Sequence, residues 1–362
     1  MDAFENRYFP PESLKEVYTT LGQTYSLDKI GTSVEQRPIY ALTIGQGERR
    51  VLAWSQMHGN ESTSTKALID LIGFLETSPH GKDILSRLTL KMILQLNPDG
   101  AHAYTRVNAN GVDLNRDAVA QTQPETQALM ALFKTFKPDF CFNLHEQRTI
   151  FSVGEPPVPA TLSFLAPAAD ADRTITKARK IAMQIIANIY AEHKHASEWG
   201  IGRYDDQFNL NCTGDYFTAR GVPTVLFEGG HYPDDYLRLN TRELYFKSLK
   251  IALRSITTSD FNQYTTHDYS VIPENESRLR DLEIQNVTIV NKLNITNSRL
   301  FVQYKEQLID GEIAFIPEIV DKTMNLKGLR QIKLTKSQQK IAFTIDDSAD
   351  DILKQLKLLT II

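Results

Sequence analysis

Residues 57–61 read MHGNE and come shortly after an apolar run, RVLAW, at residues 50–54. The run is typical of a buried β-strand, so His58 and Glu61 are expected just beyond a strand end. An imidazole and a carboxylate three residues apart can reach one metal ion, and zinc accepts both as ligands. Such a pair also arises often by chance, so it needs support from the rest of the chain.

The composition is that of an ordinary globular protein. The 362 residues suit two domains better than one, and 41% of them are hydrophobic while 23% are charged. A net charge of −4 gives no electrostatic reason to bind nucleic acid or anionic lipid. We therefore expect neither nucleic acid nor a membrane among the partners, and the sequence does not indicate an oligomeric state.

The cysteines and the first residues of the sequence indicate the cellular compartment of the protein. Cys141 and Cys212 are too few for a disulfide framework, and a reduced interior is their favoured setting. The opening residues, MDAFENR, lack the apolar segment of a signal peptide, and no run of 18 apolar residues occurs. We therefore expect a cytoplasmic protein, unless a leader has been removed.

Predicted strands and helices alternate along the first 258 residues. Apolar runs predict strands at 38–44, 50–54, 88–96, 140–144 and 224–227. Helical periodicity predicts helices at 11–22, 62–76, 122–136, 168–193 and 243–256, and NPDG at 97–100 predicts a turn. The alternation indicates an α/β fold with a mixed, mostly parallel sheet flanked by helices.

Three candidate residues follow predicted strands directly. They are His58, His145 and Glu228. In open parallel sheets, sites gather outside the carboxyl ends of the strands, so these side chains are expected near one another.

The character of the chain changes after about residue 260. Short alternating runs predict strands at 287–290, 300–304 and 341–345, followed by a helix near 349–358. We therefore divide the chain into a catalytic domain at 1–258 and a small β-rich accessory domain of unknown role at 259–362. The basic segment 327–340 favours a solvated face, with packing against the catalytic domain, or narrowing of its cleft, as the alternative.

Several further motifs accompany the first one in a fixed order. They are SQMHGNE at 55–61, NPDG at 97–100, TR at 105–106, GVDLNRD at 111–117, NLH at 143–145 and FE at 227–228. Together they resemble the zinc metallocarboxypeptidase family, the carboxypeptidase A-like group, over about residues 30–255. The resemblance implies a carboxypeptidase-like fold and a peptidase activity.

The resemblance also implies the metal ligands. His58, Glu61 and His145 would hold one zinc ion and leave its fourth position open, as catalytic zinc sites require. Zinc would lower the pKa of a bound water towards ~7 and polarise the scissile carbonyl. Two histidines and a glutamate suit several divalent metals, so the sequence does not exclude another ion.

A general base must take a proton from the water and pass it to the leaving amine. By resemblance this base is Glu228, which closes an apolar strand where desolvation can raise its pKa. Glu146, next to His145, is a rival acid. Neighbouring residues of a strand point to opposite faces, which favours Glu228.

The remaining roles are implied by the resemblance alone. Arg106 would stabilise the oxyanion of the reacting carbonyl, and Asn115 with Arg116 would bind the substrate carboxylate. Asp113 would accept a hydrogen bond from a zinc-bound histidine, here His58, and so fix its tautomer.

Other neighbouring residues receive no assigned role. The family has a mobile tyrosine about twenty residues before its catalytic glutamate, and both Tyr204 and Tyr216 lie in that neighbourhood. The floor of the pocket for the C-terminal side chain should come from 209–215, where Asp215 is the acidic candidate. His231 could line the site, although a loop histidine near the surface is the favoured interpretation.

We therefore expect a zinc-dependent metallocarboxypeptidase that hydrolyses the C-terminal amide bond of a peptide. An amidase or deacylase acting on an acyl-amino acid or a peptidoglycan-type substrate is the alternative, since both substrates carry a free carboxylate near the scissile bond. A zinc-retaining binding protein without turnover is a third possibility. The presence of Glu228 argues against it, because a pure binder needs no base.

Overall fold

Two β-sheets organise the part of the chain that the computed structural model describes, which is residues 4–193, 198–291, 294–320, 326–333 and 342–344. The strands of the first sheet are β1 (Ser26–Thr32), β2 (Pro38–Gly45), β3 (Arg49–Trp54), β4 (Leu88–Ile93), β5 (Phe140–Glu146), β6 (Ser152–Val153), β7 (Val158–Leu165), β8 (Gly200–Arg203) and β9 (Thr224–Gly229). Their order is β1-β2-β4-β3-β5-β9-β7-β6, with β8 beside β7.

Pairing is parallel at the centre of this sheet and antiparallel on either side of the centre, while the outlying strand β8 pairs parallel with β7. Strands β4, β3, β5 and β9 are parallel neighbours, whereas β2 and β7 run antiparallel to the two ends of that block. This confirms the predicted mixed sheet. The parallel block matters for function because the carboxyl ends of its strands meet at one edge.

Helices cover both faces of the first sheet. They are α1 (Lys15–Leu21), α2 (Thr63–Thr77), α3 (Pro79–Arg87), α4 (Pro98–Ala103), α5 (Pro124–Phe136), α6 (Lys177–His193), α7 (Thr213–Thr218), α8 (Leu239–Thr258) and α9 (Thr266–Ser270). Three short 3-10 turns lie at Pro11–Leu14, Leu114–Arg116 and Asp260–Gln263. Within the described ranges, no helix is long and apolar enough to cross a membrane.

Alternation along β3 shows how the two helical layers are separated. Val51 and Ala53 join the buried cluster that contains residues of α2, α6 and α8. Leu52 and Trp54 join a second buried cluster that contains residues of α5 and α7. Since successive side chains of a strand point to opposite faces, an apolar run without alternation is what a strand covered on both faces requires.

The second sheet is formed by β10 (Leu279–Asn291), β11 (Asn294–Ile309), β12 (Glu312–Val320), β13 (Lys327–Lys333) and β14 (Ala342–Thr344). Its order is β12-β11-β10-β13, with β14 also paired to β10. The predicted strands at 287–290 and 300–304 lie within β10 and β11, and 342–344 of the third is a strand. The predicted helix near 349–358 lies outside the described residues.

Several predicted boundaries are wrong. The strand predicted at 88–96 ends at Ile93, and NPDG opens α4 instead of a turn, because the Asn97 side chain accepts a hydrogen bond from the Gly100 amide at 2.8 Å. The helix predicted from residue 168 begins at Lys177. The Asp170 carboxylate accepts a hydrogen bond from the Thr174 amide at 2.9 Å, which holds the preceding segment in a non-helical loop.

Part of the basic segment 327–340 contacts loops next to strands of the first sheet. The ammonium group of Lys327 donates to the carbonyl of Pro157 at 3.1 Å, and Arg330 forms an ion pair with Asp234 at 3.4 Å. Lys327 is half-buried and packs on the segment before β7, as the alternative proposed, whereas Arg330 is exposed, as the favoured solvated face predicts. Residues 334–340 of the segment lie outside the described residues.

A buried arginine joins the two sheets. Arg7 lies 2.6 Å from a carboxylate oxygen of Glu146 at the end of β5 and 3.3 Å from one of Glu306 in β11. The hydroxyl of Tyr104 donates to the same Glu306 carboxylate. One guanidinium therefore forms ion pairs with acids from both sheets.

Replacing Arg7 with Met keeps most of the side-chain volume and removes the charge. Glu146 and Glu306 then lose their cation in a largely buried place, so we expect the free energy of unfolding to fall by about 3–5 kcal/mol. Urea denaturation of the wild type and of Arg7→Met measures this loss.

The matched control is Arg87→Met, which removes an exposed arginine paired with Asp83 one helical turn away. That change should alter stability by no more than about 0.5 kcal/mol. Equal losses for the two variants would contradict a structural role for the Arg7 cluster.

Candidate active site

Three neighbouring parallel strands bring the predicted site residues together. His58 follows β3, His145 lies at the end of β5, and Glu228 lies at the end of β9. His145 and Glu228 are register partners in adjacent strands, so their side chains point to the same face. Glu146 comes next on β5 and therefore points to the other face.

The loop that carries His58 is fixed by the NPDG segment. The side-chain amide of Asn97 donates to the carbonyl of Met57 at 3.2 Å. Gly59 packs so closely on Gly100 that a Cβ atom added there would lie 1.9 Å from the Gly100 carbonyl carbon. The two motifs, about forty residues apart in sequence, thus form one packed unit at the strand ends.

Three ligand atoms converge beneath this loop. Nδ1 of His58 lies 2.8 Å from Oε1 of Glu61, Nδ1 of His145 lies 3.0 Å from Oε2, and the two nitrogens are 3.1 Å apart. A tetrahedral zinc with bonds of about 2.0–2.1 Å needs ligand atoms roughly 3.3 Å apart. The donor set and its spacing therefore fit a zinc ion, and this trio could hold one.

Outer contacts orient the trio. Nε2 of His58 donates to Asp113 at 3.0 Å, which leaves its Nδ1 free to act as a ligand, and Asp113 also accepts the Asn115 amide at 2.9 Å. The Glu146 amide donates to Oε2 of Glu61 at 3.0 Å.

Hydrogen bonds and neighbouring charges favour the ionised form of two acids of the site, Asp113 and Glu61. Burial would raise the pKa of Asp113, but the hydrogen bond from His58 and the charge of Arg106 lower it overall. Burial likewise opposes ionisation of Glu61, yet its two histidine neighbours lower the pKa of the carboxyl group. The two ionised carboxylates place negative charge where a cation could bind.

Glu228 has the surroundings of a base. Its Oε2 atom is buried and has no hydrogen-bond partner among the described residues. Burial and the nearby charge of Glu61 raise the pKa of Glu228 well above its usual range. Glu146, the rival acid, is bound by Arg7 at 2.6 Å and by the Thr63 amide, so its carboxylate is already engaged.

The arginines predicted from the sequence lie in the same cleft, a cavity of about 1080 Å³. Arg106 is half exposed and contacts Asp113 at 3.1 Å and Glu61 at 3.4 Å. Arg116 is exposed and donates to Sγ of Cys212 at 3.2 Å. The Asn115 side-chain oxygen accepts the Thr213 amide at 3.0 Å, which leaves its NH₂ group available.

The structure separates the two candidate tyrosines. Tyr204 lines the cleft, and its hydroxyl donates to Gln147 at 2.7 Å. Tyr216 is buried against Phe217 in the core, with the guanidinium of Arg220 over its ring. Of the two, Tyr204 is therefore the one placed to contact a substrate.

Of two further candidate residues, Asp215 and His231, the structure places only the first in the cleft. Asp215 lines the cleft, and burial raises its pKa to about 6. His231 does not line the cleft, and the interpretation as a histidine near the surface is wrong, since it is only 2% exposed. Its ring packs on Tyr236 with centroids 4.9 Å apart, and its carbonyl accepts the Thr161 hydroxyl.

Sequence reasoning missed several residues that line the cleft. Gln147 and Arg148 directly follow β5, whereas Arg7, Gln303, Tyr304 and Glu306 come from distant parts of the chain. No motif or spacing marks the distant residues, because their positions depend on how the second sheet packs against the first.

Comparison with known proteins agrees with this geometry. The family model described as zinc carboxypeptidase matches residues 12–218, more than half of the chain. The chain therefore belongs to the zinc carboxypeptidase family. The matched region contains His58, Glu61 and His145 and ends before Glu228.

Among curated proteins, the chain is 29% identical over 174 residues to carboxypeptidase D of Homo sapiens, covering 39% of this chain and 12% of that protein. It is 31% identical over 174 residues to carboxypeptidase M of Mus musculus, covering 40% and 39%. The match thus spans only about an eighth to two-fifths of these relatives.

Solved structures share the fold. A metallo-carboxypeptidase from Burkholderia cenocepacia has a TM-score of 0.56 at 20% identity, covering 70% of this chain and 71% of that one. Carboxypeptidase A from Helicoverpa armigera has a TM-score of 0.55 at 15% identity, covering 71% and 75%. At these identities the likeness shows the carboxypeptidase fold.

Replacing His58 or His145 with Ala removes one of the three converging ligand atoms. We expect each variant to lose bound zinc, because two remaining ligands hold the ion far more weakly. Metal analysis after dialysis against zinc-free buffer measures the zinc content per chain.

The control for both variants is His102→Ala, which removes an exposed histidine outside the site. It should retain the zinc content of the wild type. Full retention of zinc by His58→Ala and His145→Ala would show that the ion is held elsewhere.

Proposed function

We propose that the chain is a zinc-dependent metallocarboxypeptidase that hydrolyses the C-terminal amide bond of a peptide. The convergence of His58, Glu61 and His145, with the unpartnered carboxylate of Glu228 on the same face, carries this proposal. One zinc ion held by the trio would polarise the scissile carbonyl and make water more acidic.

Glu228 serves as the general base. With a raised pKa, its carboxylate takes a proton from the attacking water more readily than an exposed glutamate and can then deliver it to the leaving amine. Its Oε2 atom has no competing hydrogen bond within the described residues, so it is available to the water.

Arg106 and the Asn115–Arg116 pair supply positive charge and hydrogen-bond donors. Arg106, beside Glu61, is placed to stabilise negative charge that develops on the carbonyl oxygen. Arg116 has no carboxylate partner among the described residues, so its guanidinium is available for the substrate's carboxylate. A free carboxylate next to the scissile bond is therefore the feature that we expect a substrate to need.

Two predictions from the sequence stay predictions. They are the division into a catalytic domain at 1–258 and an accessory domain at 259–362, and the cytoplasmic location. The second sheet, which starts at Leu279, lies wholly in the accessory part.

A panel of short peptides tests the proposed function. The zinc-loaded protein is incubated with peptides that differ in the C-terminal residue, with acyl-amino acids and with γ-glutamyl and D-amino-acid linkages. Chelator-sensitive release of one C-terminal residue from peptides supports the carboxypeptidase. Release from acyl-amino acids or cell-wall-type linkages alone would favour the amidase, and no release with zinc bound would leave a binding protein.

Glu228→Gln keeps the size and polarity of the side chain and removes its basicity. We expect zinc to stay bound and kcat to fall by roughly two to four decades. Steady-state hydrolysis and metal analysis of the same sample separate the two effects. The matched control is Glu243→Gln on the exposed side of α8, which should leave kcat unchanged. Nearly full activity in Glu228→Gln would refute the assigned base.

Arg116→Ala removes the guanidinium proposed to bind the carboxylate. A lost charged hydrogen bond is worth about 1.5–3 kcal/mol, so we expect KM to rise roughly ten- to hundredfold for peptides with a free carboxylate. Peptides with an amidated C-terminus should be hydrolysed equally poorly by both proteins. An unchanged ratio between free and amidated peptides in the variant would contradict this role.

A further inference from the structure

The active-site cavity extends past the metal trio to the second sheet. Gln303, Tyr304 and Glu306 of β11 line the same cavity as His58 and His145. The second sheet is therefore a wall of the cleft.

Buried contacts hold this wall in place. The Asp281 carboxylate is fully buried and accepts hydrogen bonds from the Tyr236 hydroxyl at 2.9 Å and the Tyr304 amide at 2.7 Å. The hydroxyl of Thr149, four residues after His145, lies 3.3 Å from the same carboxylate. The ring of Tyr236 also packs on Phe315 of β12, with centroids 5.2 Å apart. These contacts join the wall to the segment that follows β5, so its position relative to the metal trio is fixed.

Hydrogen bonds connect the trio both to the proposed carboxylate-binding residues and to the wall. His58 is linked through Asp113 to the amide of Asn115, next to Arg116. Glu61 accepts the amide of Glu146, whose carboxylate is bound by Arg7, which also binds Glu306 of β11. A peptide with its terminal carboxylate at Arg116 and its scissile bond at the trio would have its upstream residues in the rest of the same cavity, which β11 lines.

The acids of this half of the cavity already have partners. Glu146 and Glu306 are bound by Arg7, and Glu318 pairs with Lys305 at 3.7 Å.

Two arginines that line the same half do not pair with acids. Arg148 is exposed and makes no hydrogen bond or ion pair with any described residue, and Arg238 donates only to the carbonyls of Gln147 at 2.9 Å and Gly229 at 3.1 Å. A third arginine lies close by, since burial and the like charge of Arg148 lower the pKa of Arg280. Among the charged side chains that line this half, Arg7, Arg148, Arg238 and Lys305 stand against Glu146, Glu306 and Glu318, so one positive charge is left over.

We propose that this half of the cavity is a subsite for an acidic side chain upstream of the scissile bond, with Arg148 as its ion-pair partner and β11 as its wall. The proposal rests on the proposed carboxypeptidase activity and adds a substrate class to it. Arg148 is the specific candidate because it is exposed, lines the cavity and has no hydrogen-bond or ion-pair partner within the described residues, whereas Arg238 is buried and binds two backbone carbonyls.

Peptides with one C-terminal residue and Glu, Gln or Lys at the first or second position before the scissile bond test the subsite. We expect kcat/KM of the wild type to be roughly tenfold or more higher for Glu than for Gln at one of these positions. In Arg148→Gln this preference should vanish, so that kcat/KM becomes equal for the Glu and Gln peptides. Arg148→Glu should instead prefer Lys.

Two control variants assign the effect. Arg87→Gln, an exposed arginine on α3, should keep the preference for Glu. Lys305→Gln should also keep it, because Lys305 is already paired with Glu318. Loss of the preference in Lys305→Gln but not in Arg148→Gln would overturn the assignment, as would equal rates for Glu and Gln peptides in the wild type.

Binding without turnover gives a second readout. The zinc-loaded Glu228→Gln protein should bind the Glu peptide more tightly than the Gln peptide in calorimetry, and Arg148→Gln in the same background should remove the difference. Equal hydrolysis of all the peptides would refute the subsite and leave the proposed function intact. No hydrolysis of any peptide with zinc bound would instead refute the proposed function.

Discussion

The close approach of two histidine ring nitrogens, Nδ1 of His58 and Nδ1 of His145, is the constraint on which the site depends. They lie 3.1 Å apart with both Glu61 oxygens beside them, in a place that water scarcely reaches. A cation bound between them satisfies both lone pairs and the carboxylate together, which a proton can do for only one nitrogen at a time. The contacts of Asp113 and of the Glu146 amide hold the three groups in that arrangement.

The geometry of the parallel sheet gives neighbouring residues different roles. His145 and Glu146 are adjacent in β5, yet one faces the metal trio while the other neutralises Arg7 behind it. Glu228, one strand away and in register with His145, shares its face. The ends of two adjacent strands therefore supply a candidate metal ligand, a structural acid and the proposed base, and the helices on both faces exclude water from the strands beneath them.

The main features of the site could be predicted from the sequence because they depend on local spacing. His145 and Glu228 lie at strand ends, and His58 and Glu61 lie in the loop that follows β3, where short motifs and apolar runs are informative. The start of α6 could not be predicted, since the hydrogen bond that the Asp170 carboxylate accepts from the Thr174 amide overrides helical periodicity. The pairing of Arg7 with Glu306, 299 residues away in sequence, follows from the packing of two sheets, and no local pattern contains it.

The second sheet completes the cleft that the first sheet begins, so the candidate metal site and residues of β11 line one cavity. Titration of the metal-free protein with zinc, followed by release of a C-terminal residue from a peptide, tests the central claim most directly. Activity should rise linearly and level off at one zinc per chain. Activity that is already full without zinc, or one bound zinc per chain with no release from any peptide, would contradict a zinc carboxypeptidase centred on His58, Glu61 and His145.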